Sequence, residues 1–192
     1  SLRESKRMKY LERFRAPLPA PSLGRRLACL LFLLLAGAAV GVLAKWADFS
    51  ALQLLGDIFS ELPVWIVLGL VIARCSGSPG RAAAYAFVFF LAMIPAYYLA
   101  AEWMDGVWGM TYVCGWTVVA CLSPFAAYGA WYAFGRGWLP ALLSVAVVAA
   151  AALADVIVLR RLNFRDFVLA GLCAVLVFGC KAPRRGSKGQ RP

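Results

Sequence analysis

The chain has 192 residues, of which 63% are hydrophobic and only 15% are charged, and its formal net charge is +11. A soluble domain is normally about half apolar and a quarter charged, so this composition excludes an ordinary soluble protein. Apolar stretches of about 20 residues recur, which is the length that a helix needs to cross a bilayer. Because the basic residues flank these stretches, the charge indicates contact with anionic lipid headgroups and argues against nucleic acid as a partner.

The first apolar stretch follows a basic tail, residues 1–26, in which a short interfacial helix is predicted before a proline-rich linker. The stretch Leu27–Ala44 is longer than the apolar region of a signal peptide, so it is predicted to be retained as the first span. Within it Gly37 and Gly41 form a GxxxG step, a small face that lets helix backbones approach closely. This face predicts packing within the bundle, with homodimerisation as the alternative.

The second span is ambiguous because its clean apolar core, Leu62–Ala73, is too short to cross a bilayer alone. A start near Leu54 would extend it to about 20 residues, but would draw Asp57 and Glu61 toward membrane depth. Pro63 comes soon after these acids, so a kink or a partly re-entrant approach is also consistent with the sequence.

Four further spans are predicted, separated by short connections. They are Ala82–Ala101, Gly109–Phe134, Trp138–Leu159 and Phe164–Cys180. Residues 181–192 form a basic tail that is predicted to be disordered and cytoplasmic. The chain is therefore expected to be an all-α, polytopic transmembrane bundle of six helices, with residues 27–180 as the membrane domain.

The distribution of basic residues predicts the orientation of the bundle. With the N-terminus and the C-terminus in the cytoplasm, 16 of the 20 Lys and Arg residues lie on the cytoplasmic side. The reverse orientation would place that majority outside, so the positive-inside rule favours cytoplasmic termini. Aromatic rings then fall at both interfaces, with Trp46, Trp103 and Trp108 at the outer one and Trp131 and Trp138 at the inner one. Membrane lipids, through anionic headgroups at the cytoplasmic face, are the expected partners.

Most acidic residues fall toward the outer ends of the spans, where a charge usually faces the bundle interior or water. Asp57 and Glu61 are four residues apart on one helix face. Asp155 interrupts an apolar span, and Lys45 and Arg165 are its candidate partners by depth. These five residues form the candidate binding or ion-pair cluster. They either pair with one another at the membrane edge or line an outward-facing acidic cavity for a cationic solute or a proton.

Recognisable catalytic chemistry is missing from the sequence. The chain has no histidine, which excludes zinc-protease and Ser-His arrangements, and it has no GxxxxGK phosphate loop. The six cysteines lack CxxC spacing and are expected to be small packing residues rather than metal ligands or disulfides. We therefore expect no enzyme activity, no catalytic residues, no metal and no cofactor.

The stretch Ser60–Tyr98 has an acid before an apolar span, a short Ser-Pro-Arg turn and an aromatic-rich span that ends in Tyr-Tyr. It resembles a group of small bacterial multi-span integral membrane proteins of unassigned function. The resemblance implies a multi-pass protein of the bacterial cytoplasmic membrane and supports six helices, but it carries over no functional residues. In size and span count the chain also looks like the substrate-binding subunits of energy-coupling vitamin transporters, a similarity of architecture alone.

Two functions are compatible with these features. The first is a small integral membrane protein that acts by binding, as an accessory subunit, a scaffold, or a partner for lipid, for another protein or for a second copy of itself. The alternative is a small transporter, or the solute-binding membrane subunit of one, with an outward-facing acidic site. A scaffold needs the outer acids to be paired, whereas a transporter needs a polar pocket between spans two, three and five.

Overall fold

The chain is largely helical in the part described by a computed structural model. This part covers residues 10, 12–49, 59, 61–104, 109–158 and 164–181, without the side chains of residues 49, 155, 157 and 158. No strand occurs among these residues. Six helices follow one another along this part of the chain, and the last continues into a π-helical turn, Val175–Gly179. They are α1 (Leu23–Phe49), α2 (Leu62–Cys75), α3 (Pro79–Trp103), α4 (Met110–Ala133), α5 (Trp138–Val158) and α6 (Phe164–Ala174).

Three of these helices, α1, α3 and α4, are long and apolar enough to cross a membrane. The outer surface of the bundle is itself apolar, because large side chains such as Leu31 and Phe32 on α1 and Leu122 and Phe125 on α4 are exposed. Soluble monomers rarely expose such extended apolar surface, whereas helices in lipid have no need to bury it. The chain is therefore a transmembrane protein.

Alanine is the most frequent buried residue in the described part of the bundle. Ala73, Ala82, Ala86, Ala101 and Ala133 are all fully buried. Small side chains allow the close backbone contacts that hold helices together in lipid, where the hydrophobic effect between helices is weak. The short helix α2 lies at the centre and contacts α3, α4, α5 and α6, while α1 packs mainly on α3.

The central helix begins later than a full span would require. It begins at Leu62, after Glu61 in an extended conformation, and Pro63 lies in its first turn. Proline suits this position because an N–H group there has no acceptor within the helix. Pro63 therefore lies at the start of α2 rather than in the interior of this helix. The alternative start near Leu54, together with Asp57, lies outside the described residues.

The first helix is longer than the predicted span at both ends. It begins at Leu23 rather than Leu27 and continues to Phe49. Arg25 and Arg26 therefore belong to α1 and not to the tail, although the sequence analysis placed them before the membrane domain. Hydropathy locates the apolar part of a helix. The helix itself continues into the polar interface, up to the residue where its backbone hydrogen bonding ends.

Gly37 and Gly41 lie on the face of α1 that packs against α3. A Cβ atom on Gly37 would overlap the carbonyl oxygen of Phe89. A Cβ atom on Gly41 would overlap the carbonyl oxygen of Met93 and come within 3.0 Å of the Tyr97 backbone nitrogen. The two helices thus meet backbone against backbone at the GxxxG step, within one chain.

The tryptophans predicted at the membrane interfaces differ in their exposure. Trp46, Trp103 and Trp138 are exposed, as residues at a membrane interface should be. Trp131, predicted at the inner interface, is only 1% exposed and lies inside the bundle. Its indole N–H donates to the carbonyl of Ser76 at 2.8 Å, and this bond satisfies the polar atom without contact with headgroups.

The cysteines are all free thiols, but only one of them is a buried packing residue. Cys173 is fully buried and Cys29 is half-buried, whereas three cysteines expected to be packing residues, Cys114, Cys121 and Cys180, are exposed, as is Cys75 at the end of α2. A spacing of seven residues places two side chains on one helix face, but it does not tell which face points inward.

Candidate functional site

Glu61 and Arg165 meet at one end of the bundle, where α2 and α6 begin and α1 and α3 end; we name this the Glu61 end. Arg165 Nη1 donates to Glu61 Oε1 at 3.5 Å, which joins the start of α2 to the start of α6. Glu61 is 5% exposed, and the neighbouring Asp166 is fully buried in the first turn of α6. Carboxylates at these positions are stabilised by the positive ends of the two helix dipoles.

A second ion-paired group at the Glu61 end links α1 to α3. Lys45 Nζ lies 3.9 Å from Asp48 Oδ2 and 5.3 Å from the centre of the Tyr97 ring. The Tyr97 hydroxyl donates to the same Asp48 oxygen at 2.8 Å. Lys45 is only 7% exposed, so its ammonium group is held inside the bundle by these partners.

The structure therefore brings together only some of the five residues that were predicted as one cluster. The structure brings Glu61 and Arg165 together, and it shows Lys45 with Asp48, which the predicted cluster did not include. Asp48 was identifiable from its spacing of three residues from Lys45, a distance that allows contact on one helix face. Asp57 and the side chain of Asp155 lie outside the described residues.

An apolar groove opens on the side of the bundle between α4 and α5. Its volume is about 460 Å³, and α2 and α3 form its floor. Exposed side chains line the mouth, among them Leu122 and Phe125 on α4 and Ala146 and Ala150 on α5. Nothing in the sequence predicted this groove.

The groove exists because α4 and α5 present small side chains to each other. On α5, Ala146, Ala150 and Ala154 recur every four residues and so share one helix face. Half of the lining residues on α4 are also small, namely Ala126, Ala127, Gly129 and Ala130. From Leu143 to Ala154 the α5 wall is about 16 Å long at a rise of about 1.5 Å per residue. That length is about half of the roughly 30 Å thickness of a hydrocarbon core.

Trp65 supplies the one side-chain N–H group among the residues that line the groove. The ring is 7% exposed, and it contacts Phe90 and Trp116 at centroid distances of 6.4 and 6.0 Å. Its Nε1 is buried and has no hydrogen-bond acceptor in the described part of the chain. Ser123, the other polar lining residue, donates its hydroxyl to the carbonyl of Ala120 at 2.7 Å.

Arg15 docks the segment before α1 onto the opposite end of the bundle, which we name the Arg15 end. Its Nη1 donates to the Trp131 carbonyl at 2.7 Å, and its Nη2 donates to the Arg74 carbonyl at 3.2 Å. The guanidinium also stacks on Trp131, 4.1 Å from the ring centre. Burial, and then the nearby charge of Arg74, lowers the pKa of Arg15 to about 10. Arg15 thus ties the C-terminal ends of α2 and α4 together.

Two more cations bind helix ends at the Arg15 end. Lys181 Nζ donates to the carbonyl of Ala133 at 2.7 Å and to Ser144 Oγ at 3.0 Å, and burial lowers the pKa of Lys181. Arg74 Nε donates to the carbonyl of Cys180 at 2.8 Å. Lys181 was expected in a disordered tail, but it is attached to α4 and α5. Cations at helix C-termini are stabilised by the negative ends of the helix dipoles.

Within the described ranges, no three His, Cys, Asp or Glu side chains are grouped so that they could hold a metal ion. The features left to indicate a function are the ion pairs at the Glu61 end, the cations at the Arg15 end and the apolar groove between them. No protein-family model, curated protein or solved structure matches the chain.

Proposed function

We propose that this protein binds the acyl chain of a membrane lipid in the groove between α4 and α5, and that it acts by binding rather than by catalysis. The observation that carries the proposal is the groove itself, an apolar space of about 460 Å³ that is open along one side. This volume lies within the range of about 300–1,000 Å³ that is typical of ligand sites.

The occupant is inferred from the surface onto which the groove opens. Phe125 at the mouth is 75% exposed, and it lies on α4, which is long and apolar enough to cross a membrane. A mouth on this surface faces hydrocarbon, so a lipid chain can enter it laterally. A void that stays empty forfeits dispersion contacts along its lining, and an acyl chain about as long as the groove restores them.

We further propose six spans with both termini in the cytoplasm of a bacterial cell. The Arg15 end, which holds Arg15, Arg74 and Lys181, would face the cytoplasm under the positive-inside rule. The helix α2 has 14 residues and a length of about 21 Å, and it would cross as the central helix, shielded from lipid by its neighbours. The resemblance of Ser60–Tyr98 to bacterial membrane proteins supports the assignment to the cytoplasmic membrane.

Transport of a cationic solute has less support than lipid binding. That hypothesis requires a polar pocket lined by acids, whereas the groove is lined almost wholly by apolar side chains. Glu61 and Asp48 take part in ion pairs at the Glu61 end. Asp155 directly follows the groove residue Ala154 on α5. If Asp155→Asn abolished proton or cation binding without a loss of stability, transport would become the better hypothesis.

Two neighbouring substitutions on α5 test lipid binding. Ala150→Phe would fill the mouth of the groove, whereas Ala149 is exposed but does not line it, so Ala149→Phe is the matched control. Native mass spectrometry of protein extracted in a mild detergent would count the lipids retained. We expect the wild type and Ala149→Phe to retain a lipid that Ala150→Phe loses.

Equal lipid retention by the two variants would overturn the proposal. A loss of dimer, rather than of lipid, in Ala150→Phe would also overturn it and would assign the groove to a second copy of the chain.

A further inference from the structure

We propose that the lipid in the groove is anionic and that its phosphate lies at the Arg15 end of the bundle, beside Arg136 in the turn between α4 and α5. This inference rests on the proposed lipid binding and adds the class of the headgroup and the direction of the lipid. The observation that carries it is the position of Arg136, an exposed cation in the turn that joins the two walls of the groove.

The turn that carries Arg136 is held against the segment before α1. The backbone N–H of Arg136 donates to the carbonyl oxygen of Phe14 at 3.1 Å. Gly135 and Gly137 lie so close to Phe14 that a Cβ atom on either glycine would overlap it. Gly137 also has a φ of 122°, which residues with a side chain rarely adopt. The backbone of Arg136 is therefore fixed in place, while its side chain stays exposed.

The side chain of Arg136 is available for a ligand. In the part of the chain that the structure describes, its guanidinium makes no hydrogen bond or ion pair, whereas Arg15 and Arg74 donate to backbone carbonyls. A guanidinium can donate two parallel hydrogen bonds to a phosphate. Trp138 is 65% exposed at the start of α5, and exposed indole rings are enriched at the level of lipid headgroups. Arg136 therefore lies where a phosphate of the bilayer would be found.

The groove reaches close to this turn. At a rise of about 1.5 Å per residue, the lining residue Ala130 is about 5 Å from the end of α4, and Leu143 is about 8 Å from the start of α5. At the Glu61 end the α4 wall stops at Val119, about 14 Å from the start of α4, whereas the α5 wall is nearly centred on its helix. On α4 the shorter path from the groove to the membrane surface therefore leads to the Arg15 end.

The two ends of the bundle differ in charge. Among the described residues the Arg15 end has one acid, Glu12, and its exposed cations include Arg13, Arg25 and Arg26 as well as Arg136. At the Glu61 end acids outnumber cations among the described side chains, with Asp48, Glu61, Glu102 and Asp166 against Lys45 and Arg165. A negatively charged headgroup is therefore attracted to the Arg15 end. This end is cytoplasmic in the proposed topology, so the lipid belongs to the inner leaflet.

The test compares dioleoyl phosphatidylglycerol with dioleoyl phosphatidylcholine, which have the same acyl chains, by titration of delipidated full-length protein in native mass spectrometry. Binding in the groove is the binding that Ala150→Phe removes, and there we expect the wild type to prefer the anionic lipid. Arg136→Gln should weaken binding of the anionic lipid about fivefold, the effect of one cation near a headgroup, and Arg136→Lys should keep most of the preference. The matched control is Arg25→Gln, which removes the same charge from α1, a helix without groove-lining residues, and it should keep the preference.

The other outcomes separate the headgroup from the groove. Equal affinity of the wild type for both lipids would overturn the anionic headgroup and leave lipid binding standing. An equal loss in Arg136→Gln and Arg25→Gln would overturn the role of Arg136 and assign the preference to the total charge of the Arg15 end. If Ala150→Phe lost phosphatidylcholine but retained phosphatidylglycerol, the anionic lipid would be bound by surface cations, outside the groove, and the inference would be wrong. Unchanged binding of both lipids in Ala150→Phe would overturn the proposed function as well.

Discussion

The backbone contact of α1 with α3 at Gly37 and Gly41 leads to a quantitative prediction. A methyl group on Gly37 meets the carbonyl oxygen of Phe89, and one on Gly41 meets the carbonyl oxygen of Met93. These obstacles are backbone atoms of α3, which cannot rotate away as a flexible side chain would. Gly37→Ala or Gly41→Ala must therefore push α1 and α3 apart along their shared face.

The expected cost follows from two opposing effects. Forcing extra atoms into a packed interior costs about 1–3 kcal/mol, and a rigid obstacle places these sites in the upper part of that range. Alanine is a better helix former than glycine by about 1 kcal/mol, which offsets part of the loss. We expect each substitution to lower the free energy of unfolding by about 1–2 kcal/mol. The double variant should lose less than the sum, because the first displacement makes room for the second.

The matched control is Gly115→Ala on α4, where a Cβ atom would have nothing within 4 Å. Its free energy of unfolding should stay unchanged or rise by up to about 1 kcal/mol. The free energies can be compared by SDS titration of the folded proteins in mixed micelles. If Gly37→Ala were as stable as Gly115→Ala, the backbone contact between α1 and α3 would be refuted. A change from dimer to monomer in Gly37→Ala would instead show that this face binds a second copy.

Three further predictions concern the two ends of the bundle. Arg15→Lys should lower the free energy of unfolding by about 1–3 kcal/mol, because lysine cannot bond two helix ends and stack on a ring at once, whereas Arg13→Lys at an exposed position should have no effect. Arg165→Gln should destabilise the protein by about 2 kcal/mol by depriving the buried Glu61 of a counter-charge, and Glu61→Gln in the same chain should recover part of the loss in a double-mutant cycle. In a variant that keeps only the exposed Cys75, an impermeant thiol reagent should label inverted vesicles and not intact cells; labelling of intact cells would reverse the proposed topology.

Much of the helical framework could be predicted because hydropathy acts over long stretches of sequence. Trp138 was predicted as the first residue of the fifth span, and α5 begins there. The limits of α1 and α2 were less accurate, since both depend on where the backbone leaves the helix rather than on apolar content. The central position of α2 could not be predicted, because three of the four helices that it contacts, α4, α5 and α6, are distant in sequence.

The candidate site was harder to predict because it depends on which faces meet. The depth of Glu61 and Arg165 suggested that outer charges would pair, but their partnership required the starts of α2 and α6 to be adjacent. The sequence contains even less indication of the groove, since Ala146 and Ala150 look like ordinary helix-packing residues in a chain rich in alanine. Nothing in the sequence around Trp65 marks its N–H as lacking an acceptor; only the packed structure reveals it.

The two ends of the bundle explain how an apolar groove can persist between them. At the Glu61 end, acids lie at the starts of α2 and α6, and at the Arg15 end, cations bind the last carbonyls of helices. Both arrangements complement the helix dipoles, so the described charges act where the helices terminate. The segment between them needs no ion pairs to fix the helices, and its walls can consist of alanine and glycine. A lipid chain can then enter beside Ala150 without displacing a charged contact, which is why Ala150→Phe should remove the lipid and leave the fold intact.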